Sequence, residues 1–167
     1  MAEQDDAPLR SLHSDAATHV VFVNRSGALA RAWWLDFSGS PVSYGDIHSR
    51  EGLSMNTYLT HPWIFRATES GARLLANHQD VYFPAPTTEW DESGQPVFLR
   101  VLITAPMYSL RERCCVAIRR LVRRDAIGRL DLPEMLKQEL RQSPNLLAEI
   151  RTMDSRRGSA PNPDHKP

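Results

Sequence analysis

Apolar residues in the first two-thirds of the chain come in short blocks, with turn formers interrupting them about every 8–12 positions. Blocks at 19–24, 31–37, 41–44, 53–59, 63–66, 74–76, 81–83 and 97–103 are rich in Val, Ile, Leu and aromatic residues. Between them stand Ser26-Gly27, Ser38-Gly39, Gly45-Asp46, Pro62 and Ser93-Gly94. β-Branched and aromatic side chains suit a half-buried pleated surface, whereas Gly, Pro, Ser and Asp supply turn geometry. This rhythm predicts a β-sandwich of about seven strands.

The period changes at Tyr108. Ser109 and Glu112 have capping-box spacing: hydroxyl to a free N–H in the first turn, carboxylate back to the cap's own N–H. Behind them Leu110, Cys114, Ala117, Ile118 and Leu121 recur on one helix face. A second helix is expected at Asp131-Leu132-Pro133-Glu134, with Asp131 at cap spacing and Pro133 in the first turn, where its missing N–H costs least. Ser143-Pro144 ends it and caps a third helix carrying Leu146, Leu147, Ile150 and Met153. The expected plan is mainly β with a small α domain. A sandwich spans 9–106, a three-helix domain spans 107–153, and 1–8 and 154–167 are disordered. A helical unit of about 45 residues rarely closes a core without a metal, disulfide or partner. The Leu110 face therefore either buries itself at home or meets another protein's groove.

Composition narrows the function classes. Hydrophobic content of 41% and charged content of 24% over 167 residues fit a globular protein. No apolar run approaches the roughly 18 residues of a membrane span. The acidic start Met1-Ala2-Glu3-Gln4-Asp5-Asp6 is unlike a secretory signal, so a cytoplasmic and nuclear location is expected. Adjacent Cys114 and Cys115 point apart on a helix and offer neither a disulfide framework nor a thiolate metal site. Asn24-Arg25-Ser26 matches a glycosylation sequon that is accidental without secretion. Residues 1–106 hold 7 Arg and no Lys against 12 acids, and residues 107–167 hold 13 Lys and Arg against 8, so the two parts carry −5 and +5. The run Arg119-Arg120-Leu121-Val122-Arg123-Arg124 has the composition of a nucleic-acid or import patch, but such faces are ordinarily solvated, and nucleic acid is not the expected partner.

Catalytic signatures are missing: the sequence has no nucleophile elbow, phosphate loop or His-Glu-x-x-His. Its six histidines are scattered without metal spacing. No catalytic residue, metal or cofactor is expected. What the strands do carry is a wall of aromatics: Trp33, Trp34, Tyr44, Tyr58 and Trp63. Side chains alternate along a strand, so Trp33 and Trp34 face opposite ways and one needs a reason to be outside. Thr57, His61 and Trp63 share parity, with Pro62 bending the chain between the last two. These residues are either sandwich core or one shallow site, with aromatic faces for an apolar ring and a hydroxyl and imidazole for hydrogen bonds. A proline ring fits such a site.

Several runs in order carry a resemblance: Leu9-Arg10-Ser11, Val21-Phe22-Val23-Asn24-Arg25-Ser26, Trp34-Leu35-Asp36-Phe37, Tyr58-Leu59-Thr60-His61-Pro62-Trp63-Ile64-Phe65-Arg66, Gly94-Gln95-Pro96-Val97-Phe98 and Tyr108-Ser109-Leu110-Arg111-Glu112-Arg113-Cys114. Over roughly residues 9–153 the chain resembles the von Hippel–Lindau tumour-suppressor family. That resemblance implies a non-catalytic substrate receptor of a ubiquitin ligase, assembled with elongin C, elongin B, cullin-2 and a RING-box protein. It would bind 4-hydroxyproline in the α subunit of hypoxia-inducible factor. By position Trp34, Tyr44, Thr57, His61 and Trp63 would form the hydroxyproline pocket, with Phe22, Asn56 and Tyr58 as flanking peptide contacts. Leu110 would anchor an elongin C box with Cys114 one turn behind, extended by Met107, Arg111, Arg113, Ile118 and Leu121. Leu132, Pro133 and Leu136 would form a cullin-2 box; Met135 stands where a cullin-5 box has a second proline. Thr57 replaces the usual serine of mammalian members, Asn56 a histidine, and Leu53-Ser54 an arginine pair. These departures also admit a diverged paralogue that keeps the adaptor and changes substrate.

Overall fold

A computed structural model describes residues 8–157. Strand β1 (Ala17–Asn24) buries Thr18, Val20, Phe22 and Asn24 in strict alternation, the period of a strand with one face to the core. It is followed by β2 (Ala30–Leu35), β3 (Pro41–Ile47), β4 (Gly52–Tyr58), β5 (Trp63–Ala67), β6 (Arg73–Ala76) and β7 (Leu99–Thr104). Their order in the sheet is β3-β2-β5-β6-β7-β1-β4, antiparallel except where β1 runs parallel to β7. Short β6 bonds to both β5 and β7, and there the sheet folds back on itself. Val20, Phe22, Val101 and Ile103 from one half thus meet Ala30, Ala32, Trp63 and Phe65 from the other. The seven-strand expectation holds among the described residues, and β3 and β4 are left as the two free edges. Residues 81–83, expected as a strand, pair only through a single bridge between Tyr82 and Trp63. The sequon asparagine is structural. Asn24 is fully buried, donating to the carbonyls of Ala28 and Ile47 and accepting from Ser26 N and Oγ.

Helix α1 (Leu110–Leu121) starts where the cap predicts. Ser109 Oγ accepts from Glu112 N at 3.2 Å, and Glu112 Oε2 accepts from Ser109 N at 2.7 Å. Hydrogen bonding to the carboxyl from the Ser109 backbone N–H, and then from the Ser109 hydroxyl, holds Glu112 below the usual carboxylate range. Ser109→Ala should cost about 1 kcal/mol of stability, read from the thermal midpoint of the partner-bound chain. A 3₁₀ segment (Arg124–Arg129) and α2 (Glu134–Arg141) follow. Asp131 does not cap α2: the helix opens directly behind Pro133, which has no N–H and no side-chain bond to give. Nor do Ser143 and Pro144 cap α3 (Leu146–Arg157); Asn145 does, its Oδ1 accepting from Ala148 N at 3.1 Å.

The third helix sits elsewhere than expected. Ile150 is buried with Leu9, Leu35, Ile64 and Val81, and Trp33, Leu146 and Met153 pack around them. Helix α3 therefore roofs the outer face of β2 and β5, which is why every residue of β5 is buried and why Trp33, facing away from the core, is half-buried. Arg66, 5% exposed, points outward from β5 and donates through Nε and Nη2 to Glu149 Oε2 at 3.1 and 2.7 Å. Leu9 N donates to Asp154 Oδ1 at 3.2 Å. These bonds carry the helix past Met153 to Arg157, so 154–157 are helical rather than disordered, and Pro8 is already placed. The remaining ends, 1–7 and 158–167, lie outside the described residues. What is left of the helical domain is α1, the 3₁₀ segment and α2, closed around Cys115, Ile127 and Leu140 as its buried side chains.

Candidate functional site

Trp63 lies at the hub of the aromatic site. Its ring, 2% exposed, has Phe22 behind it at 5.2 Å and Tyr44 of β3 in front at 5.0 Å between centroids. Its Nε1 donates to Thr57 Oγ1 of β4 at 3.0 Å, and Thr57 is itself buried. A side chain from each free edge strand thus converges on one indole, placing the site at the seam between β3 and β4. Trp34, register partner of Trp63, adds the next wall, edge-on to Tyr44. A bulge in the β2–β3 ladder beside Tyr44, with Gly45 at φ +97°, breaks the register there, a common device for re-aiming a side chain at a site.

His61 is boxed into the same wall. It stacks on Trp34 at 5.2 Å and 27°, meets Tyr58 at 4.9 Å, and takes the edge of Phe37 at 5.6 Å. Its Nε2 lies 3.3 Å from Ser14 Oγ. Burial pushes the imidazole below the ordinary histidine value, opposed by a hydrogen bond to the His13 backbone. The ring is consequently neutral at physiological pH, able to accept one hydrogen bond and donate another. Trp34 is pinned in turn: its Nε1 donates to Ser11 Oγ at 2.7 Å, and Ser11 Oγ donates to Leu35 O at 2.7 Å.

The structure brings Trp34, Tyr44, Thr57, His61 and Trp63 together. One of the flanking expectations needs correction. Phe22 has no exposed surface and props Trp63 from behind, so it has nothing to offer a peptide directly. Asn56 follows strand alternation to the opposite face from Thr57, where it lies exposed across from His19. Tyr58 does border the site through His61. Ser11, Ser14 and Phe37 were not anticipated. Phe37 is 50% exposed in the turn after β2, and an exposed aromatic in a tight turn with no core to fill was the available signal. The serines gave none.

The second candidate surface is on α1. Met107, Leu110 and Leu121 are 100%, 79% and 85% exposed, and Cys114 and Arg113 are exposed beside them. Helix α1 is held at home by the neighbouring stripe of Cys115, Ile118 and Val122. Ile118 packs half-buried against the domain's own core. Arg111 is paired with Glu139 of α2 through Nε and Nη2. On the α2 side Leu132 packs on the small core, Leu136 is half-buried, and Pro133 and Met135 are exposed.

Two family descriptions cover most of the chain: the VHL beta domain matches residues 9–90 and the VHL box domain matches residues 108–156. The chain belongs to the von Hippel–Lindau family. It is 29% identical over 133 residues to Protein Vhl of Drosophila melanogaster, the alignment covering 73% of this chain and 75% of the fly protein. A VHL box implies an elongin-type partner, and the unpartnered Leu110 face is the apolar surface within it. The aromatic site falls wholly within the VHL beta domain. Among the described residues no helix is long and apolar enough to cross a membrane.

Proposed function

We propose that this chain is the substrate receptor of a cullin-2, elongin B and elongin C, RING-box ubiquitin ligase, and that it reads 4-hydroxyproline in the α subunit of hypoxia-inducible factor in the cytoplasm and nucleus. One observation carries the reading: the Thr57 hydroxyl and the neutral His61 imidazole are buried within a wall of Trp34, Tyr44 and Trp63. The rings suit the flat face of a proline. Two hydrogen-bonding groups at one end suit a hydroxyl on that ring. A peptide lacking the hydroxyl desolvates both groups without replacing their bonds, and discrimination built this way can reach about 10⁴-fold. Isothermal calorimetry with a hydroxylated peptide and its unmodified twin tests it directly; equal affinities would sink the proposal. Ubiquitin transfer belongs to other subunits, so this chain needs no catalytic group of its own.

The adaptor half rests on Leu110. A leucine 79% exposed at the first position of a capped helix is an anchor waiting for a pocket. Leu110→Ala should weaken the elongin C complex by about 2 kcal/mol or more, the scale of an interface hot spot. Leu110→Asp should abolish co-purification with elongins B and C. Survival of the complex would mean the anchor lies elsewhere.

A second reading, a paralogue that keeps the adaptor and takes another substrate, is favoured by β4. Leu53-Ser54 and Asn56 of this chain are apolar or neutral, where the resemblance to mammalian members leads one to expect basic groups. It predicts elongin binding together with indifference to proline hydroxylation.

A further inference from the structure

Helix α3 roofs one outer face of the folded sheet, while the other, formed by β4, β1 and β7, has no helix over it among the described residues. Apolar groups gather there. Phe98 and Leu102 are each 38% exposed, and Trp90, on a hairpin just before β7, is 60% exposed. That hairpin is tied across Glu89, Asp91 and Gln95: Val97 N donates to Glu89 O at 2.9 Å, Asp91 N donates to Gln95 O at 2.8 Å, and Trp90 bridges to Pro96. Trp90 is thus held out into water by a closed ladder. Its neighbours Glu89 and Glu92 have no ion-pair partner among the described residues. An exposed indole between unpaired carboxylates favours a cationic side chain, by charge and by the attraction of a cation to the ring face.

The hairpin is continuous with the aromatic site. Thr87, on the segment leading into it, lies 3.2 Å from Thr18 Oγ1 and 3.3 Å from His19 Nδ1. Thr18 and His19 face Thr57 and Asn56 across the β1–β4 ladder. The Phe98 ring stands 5.4 Å from that of His19. Neighbouring strands are about 4.8 Å apart and an extended chain advances about 3.3 Å per residue, so a peptide leaving the seam across β4 and β1 reaches Phe98 in about three residues.

We propose that the Trp90 hairpin, with Phe98 and His19, is a second subsite for the segment whose proline enters the aromatic site, and that it takes a Lys or Arg side chain about three to six residues from that proline. This deepens the hydroxyproline reading and rests on it. The test uses the full chain bound to elongins B and C and 20-residue peptides with one central 4-hydroxyproline. Lys or Glu is placed three to six positions away, on either side, and each peptide has an unhydroxylated twin. On one side the Lys peptide is expected to bind at least 10-fold tighter than the Glu peptide. Trp90→Ala should erase that difference and leave the hydroxyl dependence intact, and the double change Glu89→Lys with Glu92→Lys should invert it. All three residues are exposed, so folding is not at stake. Equal binding of Lys and Glu peptides, or a Lys preference that survives Trp90→Ala, overturns the subsite. Loss of hydroxyl dependence with the Lys preference kept overturns the hydroxyproline reading alone; no binding by any peptide overturns both.

Discussion

Replacing His61 by Ala is expected to collapse the preference for a hydroxylated over an unmodified proline peptide towards unity, from a ratio that can reach about 10⁴. The loss should come almost wholly from the hydroxylated ligand. In the proposed reading the neutral imidazole is one of two groups that bond the hydroxyl; its ring is also the plate between Trp34, Tyr58 and Phe37. Calorimetry on both peptides separates these roles. Removing a bond to the hydroxyl lowers one affinity, whereas loosening the wall lowers both. Thr57→Ser keeps the hydroxyl that accepts from Trp63 Nε1 and should retain most of the preference; Thr57→Val should not. A preference left standing in His61→Ala would remove the imidazole from the recognition step. The pH dependence has a definite sign. Burial lowers the pKa of His61, so the neutral form persists as pH falls past the ordinary value of about 6.5. The preference should be flat from neutral pH down through that value and decline only in more acid solution, where the protonated ring can no longer accept.

Replacing Glu149 by Ala is expected to cost the fold at the lower end of the roughly 3–5 kcal/mol seen when one partner of a buried ion pair is removed. Arg66 is the reason. Its side chain is 6% exposed, and without Glu149 its remaining bond in the structure is to the Phe65 carbonyl at 2.8 Å. The lower end applies because Glu149 is 38% exposed and water reaches part of the pair. Arg151→Ala, an exposed change on the same helix, is the control and should shift the thermal midpoint little. Glu149→Gln keeps an acceptor for the guanidinium and should fall between them. If Glu149→Ala and Arg151→Ala melt together, α3 is not held to the sheet by this bond. The consequence reaches beyond stability. Helix α3 covers Leu35 and Ile64, which lie on β2 and β5 next to Trp34 and Trp63, so loosening it should also weaken peptide binding.

Much of the site was legible because its chemistry is local. Thr57, His61 and Trp63 fall within one strand, a bend and the start of the next, and strand parity is enough to put them on one side. Ser109 and Glu112 announce the start of α1 by spacing alone, and both bonds form. Long-range partners were hidden. Ser11 and Ser14 reach Trp34 and His61 across 23 and 47 positions, and no periodicity encodes such a pairing. Asp131 illustrates the opposite failure: a good local cap signal lost to Pro133, whose fixed φ let the helix begin two residues later without a side-chain bond.

The order of the chain by itself determined the alternation that makes β1 one-sided, the switch to helical period at Tyr108 and the capping box that opens α1. Each depends on neighbours within a turn or two, where covalent geometry sets which side chains share a face. Only the folded arrangement decided that the third helix belongs to the sheet, that Phe22 supports the pocket instead of lining it, and that Ile118 turns inward while Leu110 stays out. Those outcomes depend on which surfaces compete for the same apolar side chain. An amphipathic pattern fixes the buried face of a helix but leaves open what it is buried against.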